Sequence, residues 1–186
     1  MTRKPQDVFN ELLVLQCQGG DTAAMEVLAR QWHPLMLRHA FRFTRRSDAA
    51  EEIAQDAWLA IVRGLDRLHD PAVFRGWVYR IVSNKARDWI RRTQARRNLT
   101  ARVEREPVPA SHTEGADHEG AIRRLHAALE TLPEDRRALL SMHYLEEMGV
   151  QEISLALGVP AGTVKSRLFH ARKQLKQCLA DQRSPS

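Results

Sequence analysis

The stretch GVPAGTVKSRLFHARKQLKQC, Gly158 to Cys178, carries five basic residues (Lys165, Arg167, Arg172, Lys173 and Lys176) and no acid. Its apolar residues Val164, Leu168, Ala171 and Leu175, with Leu179 just beyond it, recur at helical intervals, which builds one core-facing stripe. At about 100° per residue, Gly162, Ser166, Phe169, His170 and Lys173 fall on the opposite side. The stretch therefore reads as a helix that buries one face and offers water a basic, hydrogen-bonding face with one exposed aromatic. Just upstream, VQEISLAL reads as a short helix, followed by the turn Gly158-Val159-Pro160. A small residue at Ser154, a turn glycine at Gly158 and an apolar residue at Val164 match helix-turn-helix spacing. In that motif the second helix enters the major groove and turns its N-terminal residues toward base edges. Lys165, Ser166 and Phe169 are then placed to touch bases or phosphates, and Arg167, His170, Arg172 and Lys173 to touch the backbone.

Outward from this helix, the chain of 186 residues is basic, with 29 Lys+Arg against 23 Asp+Glu, a net charge of +6 and a pI near 9.9. A polyanionic partner fits that balance. Two cysteines at opposite ends, Cys17 and Cys178, suit a reducing compartment without a disulfide framework. The N-terminus lacks the apolar core of a signal peptide, and no run approaches a membrane span, so the expectation is a cytoplasmic chain with no membrane insertion. Strand signals are nearly absent and helical periodicity is general, so the fold class is all-α.

One gap interrupts the pattern. Residues 98–118, NLTARVEREPVPASHTEGADH, hold two prolines, a glycine and almost no large apolar residue, a composition that cannot bury enough surface to offset its ordering entropy. The expectation is two small helical domains, 1–97 and 119–186, joined by a flexible linker. Residues 1–97 carry 17 basic and 11 acidic residues, 98–130 carry 4 and 6, and 131–186 carry 8 and 6.

The first block reads as four helices: about 7–17; a second capped by Asp21, with a kink at Pro34; a third capped by Ser47; and a fourth opened by Asp70-Pro71 and running to about Thr93. The third and fourth differ sharply in charge. SDAAEEIAQDAW has the acids Asp48, Glu51, Glu52 and Asp56 and no base, whereas FRGWVYRIVSNKARDWIRRTQARR has eight bases against the single acid Asp88. On the fourth helix Phe74, Val78, Ile81, Val82 and Trp89 form the buried face. Arg80, Asn84, Arg87 and Arg91 share another stripe with Trp77 at its edge, and Lys85 falls among the apolar positions. Basic side chains interleaved with Trp77, Tyr79 and Trp89 suit phosphates and unstacked bases, although aromatics at helical spacing usually line a core. In the second block Pro133 opens a helix with Glu134 and Asp135 in its first turn, where the dipole favours acids.

PAGTVKSRLFHARKQL closely resembles the −35-reading helix of extracytoplasmic-function sigma factors, the smallest sigma subunits of bacterial RNA polymerase. Response regulators of the LuxR type carry a string similar to GTVKSRL, so the first block decides: SDAAEEIAQDAWLAIVRGLDRL resembles the family's polymerase-binding helix and FRGWVYRIVSNKARDWIRR its melting and −10 segment. The likeness covers nearly the whole chain in order. It implies that Asp48, Glu51, Glu52, Gln55 and Asp56 face the β′ clamp helices of core polymerase, with the β subunit a further contact. It implies that Arg80, Asn84, Lys85, Arg87 and Arg91 hold the melted −10 strand, with Phe74 and Trp77 at the entry of that site. It places Thr163, Lys165, Ser166, Arg167, Phe169, His170 and Arg172 at −35-contacting positions. An anti-sigma factor is the implied regulator.

Three residues depart from the family pattern: His170 stands where arginine is common, Ser154 replaces alanine, and Gly149 replaces a Ser or Thr cap. An interaction decoy that binds anti-sigma factors and not promoters would be expected to lose the basic reader and gain a receiver domain, neither of which fits. His33, His39 and Cys17 match no metal-site spacing, and no nucleophile, paired-carboxylate or phosphate-loop signature is present. The expectation is a non-enzyme with no cofactor and no metal.

Overall fold

A computed structural model describes residues 5–96, the backbone of 97–100, residues 124 and 125, and 127–181. Among these every regular element is helical: α1 (Pro5–Gln18), α2 (Thr22–Thr44), α3 (Ser47–Gly64), α4 (Phe74–Thr100), α5 (Glu134–Tyr144), α6 (Val150–Leu157) and α7 (Ala161–Asp181), with short 3-10 turns at Leu65–Arg67 and Pro71–Val73. The all-α expectation stands.

Local chemistry explains most of the boundaries. Asp21 caps α2 by accepting from the Ala23 and Ala24 amides at 2.9 and 3.1 Å. Asp70 caps the 3-10 turn that leads into α4, accepting from Ala72 N at 2.9 Å, with Pro71 placed where no N–H is needed. Two boundaries differ from expectation. The cap of α3 is Arg46, without a side-chain cap bond, and Ser47 is the first helical residue. α4 runs through Thr100, beyond the expected domain end at 97, because nothing in KARDWIRRTQARRNLT breaks a helix before the prolines. Residues 101–118 of the expected linker lie outside the described residues. α2 continues as one helix through Pro34.

The first block packs α2, α3 and α4 around Leu28, Trp32, Met36, Ile53, Ile61, Phe74 and Val82, all at most 2% exposed. Trp32 meets the Phe74 ring edge-on at 5.2 Å between centroids. The second block closes around Leu139, Met142, Met148, Ile153, Val164 and Leu168. Gly158 ends α6 at φ 67, the left-handed corner that glycine adopts without a Cβ penalty. Ser154 Oγ reaches across the turn to donate to the Val159 carbonyl at 2.6 Å.

The two blocks also touch each other, α4 against α6 and α2 against α5. Gly76 makes the closest approach possible: a Cβ there would lie 2.8 Å from Leu155 Cδ2. Two non-glycine residues, Arg45 (φ 55) and Glu147 (φ 50), hold left-handed backbone at this seam.

His39 is a buried polar residue at the centre of the first block. Its Nε2 lies 2.9 Å from Ser83 Oγ, its ring packs edge-on against Tyr79 at 4.7 Å, and Nδ1 has no partner. Burial, reinforced by the Arg42 and Arg87 charges, lowers its pKa to about 3. The unfolded chain takes up this proton near pH 6.5 and the folded chain only near 3, so acidification favours unfolding. Between pH 6.5 and 5 this group alone should remove about 2 kcal/mol, at ~1.4 kcal/mol per pH unit. Urea midpoints at pH 7 and pH 5 measure the loss. A His39→Gln chain should show a smaller one.

Candidate nucleic-acid interface

Three outward surfaces carry the expected site residues. On α7, Val164, Leu168 and Ala171 are buried, so Lys165, Ser166, Arg167, Phe169, His170, Arg172 and Lys173 all face water, as the periodicity requires. Phe169 is 62% exposed and stacks edge-on against the neighbouring His170 ring at 5.5 Å. Thr163 is half-buried; its carbonyl accepts from Ser166 Oγ at 3.0 Å, which steers that hydroxyl back along the helix. Arg172 folds its Nε onto the Leu168 carbonyl at 3.2 Å. Lys165, Arg167 and Lys173 are exposed and suited to phosphates.

On α4, Arg80, Asn84 and Arg91 are exposed and Arg87 is partly covered. Asn84, Arg87 and Arg91 line a groove with Phe43, Asp88 and Ile90 on one side and Pro133, Glu134 and Asp135 of the second block on the other. Arg87 Nε lies 3.4 Å from Asp135 Oδ1, and its guanidinium sits over the Phe43 ring at 5.9 Å.

Two residues expected at this site sit elsewhere. Phe74 is 1% exposed and locked against Trp32, so it supports the neighbouring Trp77 (centroids 6.1 Å apart) and presents no surface to DNA. Lys85 points toward α3, where its ammonium lies 3.6 Å from Asp56 Oδ2; this ion pair explains a lysine among apolar positions. Tyr79, one of the three aromatics interleaved with the bases, is 2% exposed and belongs to the core, where aromatics at helical spacing usually lie. Burial, then the Glu146 charge, pushes its phenol well above the usual range. Trp77 is half-buried against Gly64, which leaves room for the indole: a Cβ there would meet it at 2.9 Å.

On α3 the acids differ in how free they are. Asp48 is exposed but gripped by Arg46, whose Nε donates to Oδ1 at 3.1 Å; that bond, with the Ala49 amide, holds the carboxyl below the usual carboxylate range. Glu52 accepts from the Trp89 indole at 3.0 Å, and Asp56 is engaged by Lys85. Glu51 keeps only a 3.9 Å approach from His33, and Gln55 is exposed. Sequence reading missed Leu59 and Val62, which are 56% and 54% exposed and continue the Glu52–Gln55 face at helical spacing. The signal was present in LAIV, where two large apolar residues fall off the buried Ile53–Ala57–Ile61 stripe.

No helix among the described residues is long and apolar enough to cross a membrane.

Comparison with known proteins matches the two blocks in order. The family model for sigma-70 region 2 matches residues 28–97, and that for sigma-70 region 4 matches residues 122–175. The chain is 33% identical over 167 residues to the ECF RNA polymerase sigma factor SigE of Mycolicibacterium smegmatis, covering 87% of this chain and 65% of that protein. It is 27% identical over 189 residues to the RNA polymerase sigma-H factor of Pseudomonas aeruginosa, covering 91% and 93%. Its fold is similar to that of the sigma factor RpoE from Bartonella quintana, solved with the anti-sigma factor NepR, at a TM-score of 0.68 and 19% identity over 84% of this chain and 96% of that one. With both region models placed on its two helical blocks, the chain belongs to the sigma-70 family of RNA polymerase sigma factors, in its extracytoplasmic-function branch.

Proposed function

We propose that the chain is a promoter-specificity subunit: it binds core RNA polymerase, directs it to promoters by reading −35 and −10 elements, and promotes melting of the start region. The observation that carries this reading is the α7 face. Lys165, Ser166, Arg167 and Phe169 stand out together at the N-terminal half of a helix whose other face is locked by Val164 and Leu168 behind the Gly158 turn. Duplex −35 DNA is the ligand that such a face fits. The α3 face, with Glu51, Gln55, Leu59 and Val62 exposed, docks the β′ clamp helices, while the polymerase supplies all catalysis. Arg80, Asn84 and Arg91 hold the −10 strand by phosphate contacts and an amide suited to a base edge, so strand capture offsets the cost of unstacking. Trp77 is the aromatic nearest that strip. Two weak readers on one chain gain specificity through effective concentration. Regulation by an anti-sigma factor belongs to the same reading, supported by the fold shared with a sigma factor solved in such a complex.

The test is stoichiometric binding. Purified chain should co-elute with core polymerase, and the assembly should bind promoter duplexes more tightly and more selectively than either component alone at the same salt. Core binding without any DNA selectivity would point instead to a decoy that occupies polymerase or a regulator.

A further inference from the structure

His33 projects from α2 onto the α3 face. The Trp58 indole donates to its Nδ1 at 3.3 Å, and its Nε2 lies 3.9 Å from Glu51 Oε2. An indole nitrogen can only donate, so Nδ1 carries the lone pair and the proton of the neutral ring sits on Nε2, on the side of the carboxylate. One imidazole thus spans two residues seven apart on α3. It is not a core residue: 39% of the His33 side chain and 52% of the Glu51 side chain are exposed, and Trp58 is half-buried. The nearest charge on its own helix is engaged elsewhere, since Arg30, one turn earlier, pairs with Glu26 at 2.6 Å.

The two residues that His33 spans lie on one stripe. Glu51, Gln55, Trp58 and Val62 follow at intervals of four, three and four along α3. Glu51, Gln55 and Val62 are exposed residues of the face that docks polymerase in the reading above. A half-buried tryptophan can take several side-chain rotamers, and the one it takes decides the relief of the stripe around it. A hydrogen bond from its N–H to a ring on another helix selects one of them. That ring is itself well placed: the neighbouring α2 residues Trp32 and Met36 are buried and hold this part of the helix against α3. The two contacts differ in reach. At 3.3 Å the indole is within hydrogen-bond distance, whereas 3.9 Å to Glu51 is not.

The structure assigns His33 as a positioning residue of the polymerase-docking face: from α2 it holds the Trp58 indole in one orientation, so that α3 meets core polymerase with that ring already set. Ordering the ring before docking removes a cost that binding would otherwise meet. The Trp58 bond carries the effect, and the Glu51 approach adds little to it. This role rests on the functional reading of α3 given above.

The experiment uses the full chain. His33→Leu removes both contacts, His33→Asn returns an acceptor near the place of Nδ1, and His33→Gln returns a donor near the place of Nε2. Proton–nitrogen NMR spectra of the indoles read the bond directly, with Trp58→Phe identifying the resonance. His33→Leu should move the Trp58 resonance, leave those of Trp77 and Trp89 in place, and weaken binding to core polymerase about fivefold, the size of one hydrogen bond. Its urea midpoint should stay close to that of wild type. His33→Asn should return the affinity to within about twofold of wild type, and His33→Gln should not. In a Trp58→Phe chain, His33→Leu should cost less than about twofold, because the N–H that it served is gone. A Trp58 resonance indifferent to His33→Leu overturns the bond. A resonance that moves without loss of affinity overturns the positioning role, as does an equal loss in the His33→Leu and His33→Asn chains, or an undiminished loss in the Trp58→Phe chain. If the wild-type chain does not bind core polymerase, the reading of α3 fails and the positioning role fails with it, while the spectra still report whether the bond forms.

Discussion

Replacing Leu168 by alanine is expected to abolish duplex recognition by α7. Leu168 is 1% exposed and is the central residue of the stripe Val164–Leu168–Ala171 that fixes the helix on α5 and α6. Truncating a fully buried leucine costs about 2–5 kcal/mol, the lost transfer energy plus that of the residual cavity. A unit the size of the second block is held by roughly 3–8 kcal/mol, so one substitution removes most of its margin. Urea unfolding followed by circular dichroism should show the fall in midpoint, and duplex binding should vanish with it. Phe169→Ala, one residue along but 62% exposed, should leave the midpoint within ~0.5 kcal/mol and weaken duplex binding alone. If Leu168→Ala and Phe169→Ala behaved alike in unfolding, the assigned phase of α7 would be wrong.

The second large effect is expected on α3. Leu59→Glu should lower affinity for core polymerase by about 30-fold or more, the ~2 kcal/mol expected of an interface anchor. Leu59 is 56% exposed, so the fold should not notice the change. Neutralising Asp48, by contrast, should matter less than its charge suggests, because Arg46 already holds that carboxylate. Competition binding with labelled chain and core polymerase distinguishes the two. The outcome bears on what drives docking: an apolar strip flanked by acids, or the acids themselves.

Much of this was legible from periodicity and caps. The α7 stripe, the Gly158 corner, the Asp21 and Asp70 caps and the acid face of α3 follow from residue types whose local preferences and tertiary environment agree. The errors came where a side chain's environment is set by distant elements. Phe74, on the buried stripe, was also placed at the −10 entry by resemblance, and Tyr79 stood among arginines as one of three aromatics suited to bases; α2 covers both with Trp32 and His39. Lys85 looked out of phase until α3 supplied Asp56. The docking of the two blocks, with Leu155 seated over Gly76, was not anticipated from the sequence. Arg42, Arg75, Arg137 and Glu146 read as ordinary solvated charges, and only their placement across a hundred residues of sequence turns them into a seam.

The −10 and −35 assignments meet at one observable: where transcripts begin. Core polymerase with this chain on fragmented genomic DNA, followed by sequencing of RNA 5′ ends, tests them together. The account predicts starts that depend on the chain and share two upstream motifs at fixed spacing, with the distal motif lost for a Lys165→Ala, Phe169→Ala double variant. Starts identical to those of core polymerase alone, despite stoichiometric binding, would contradict it.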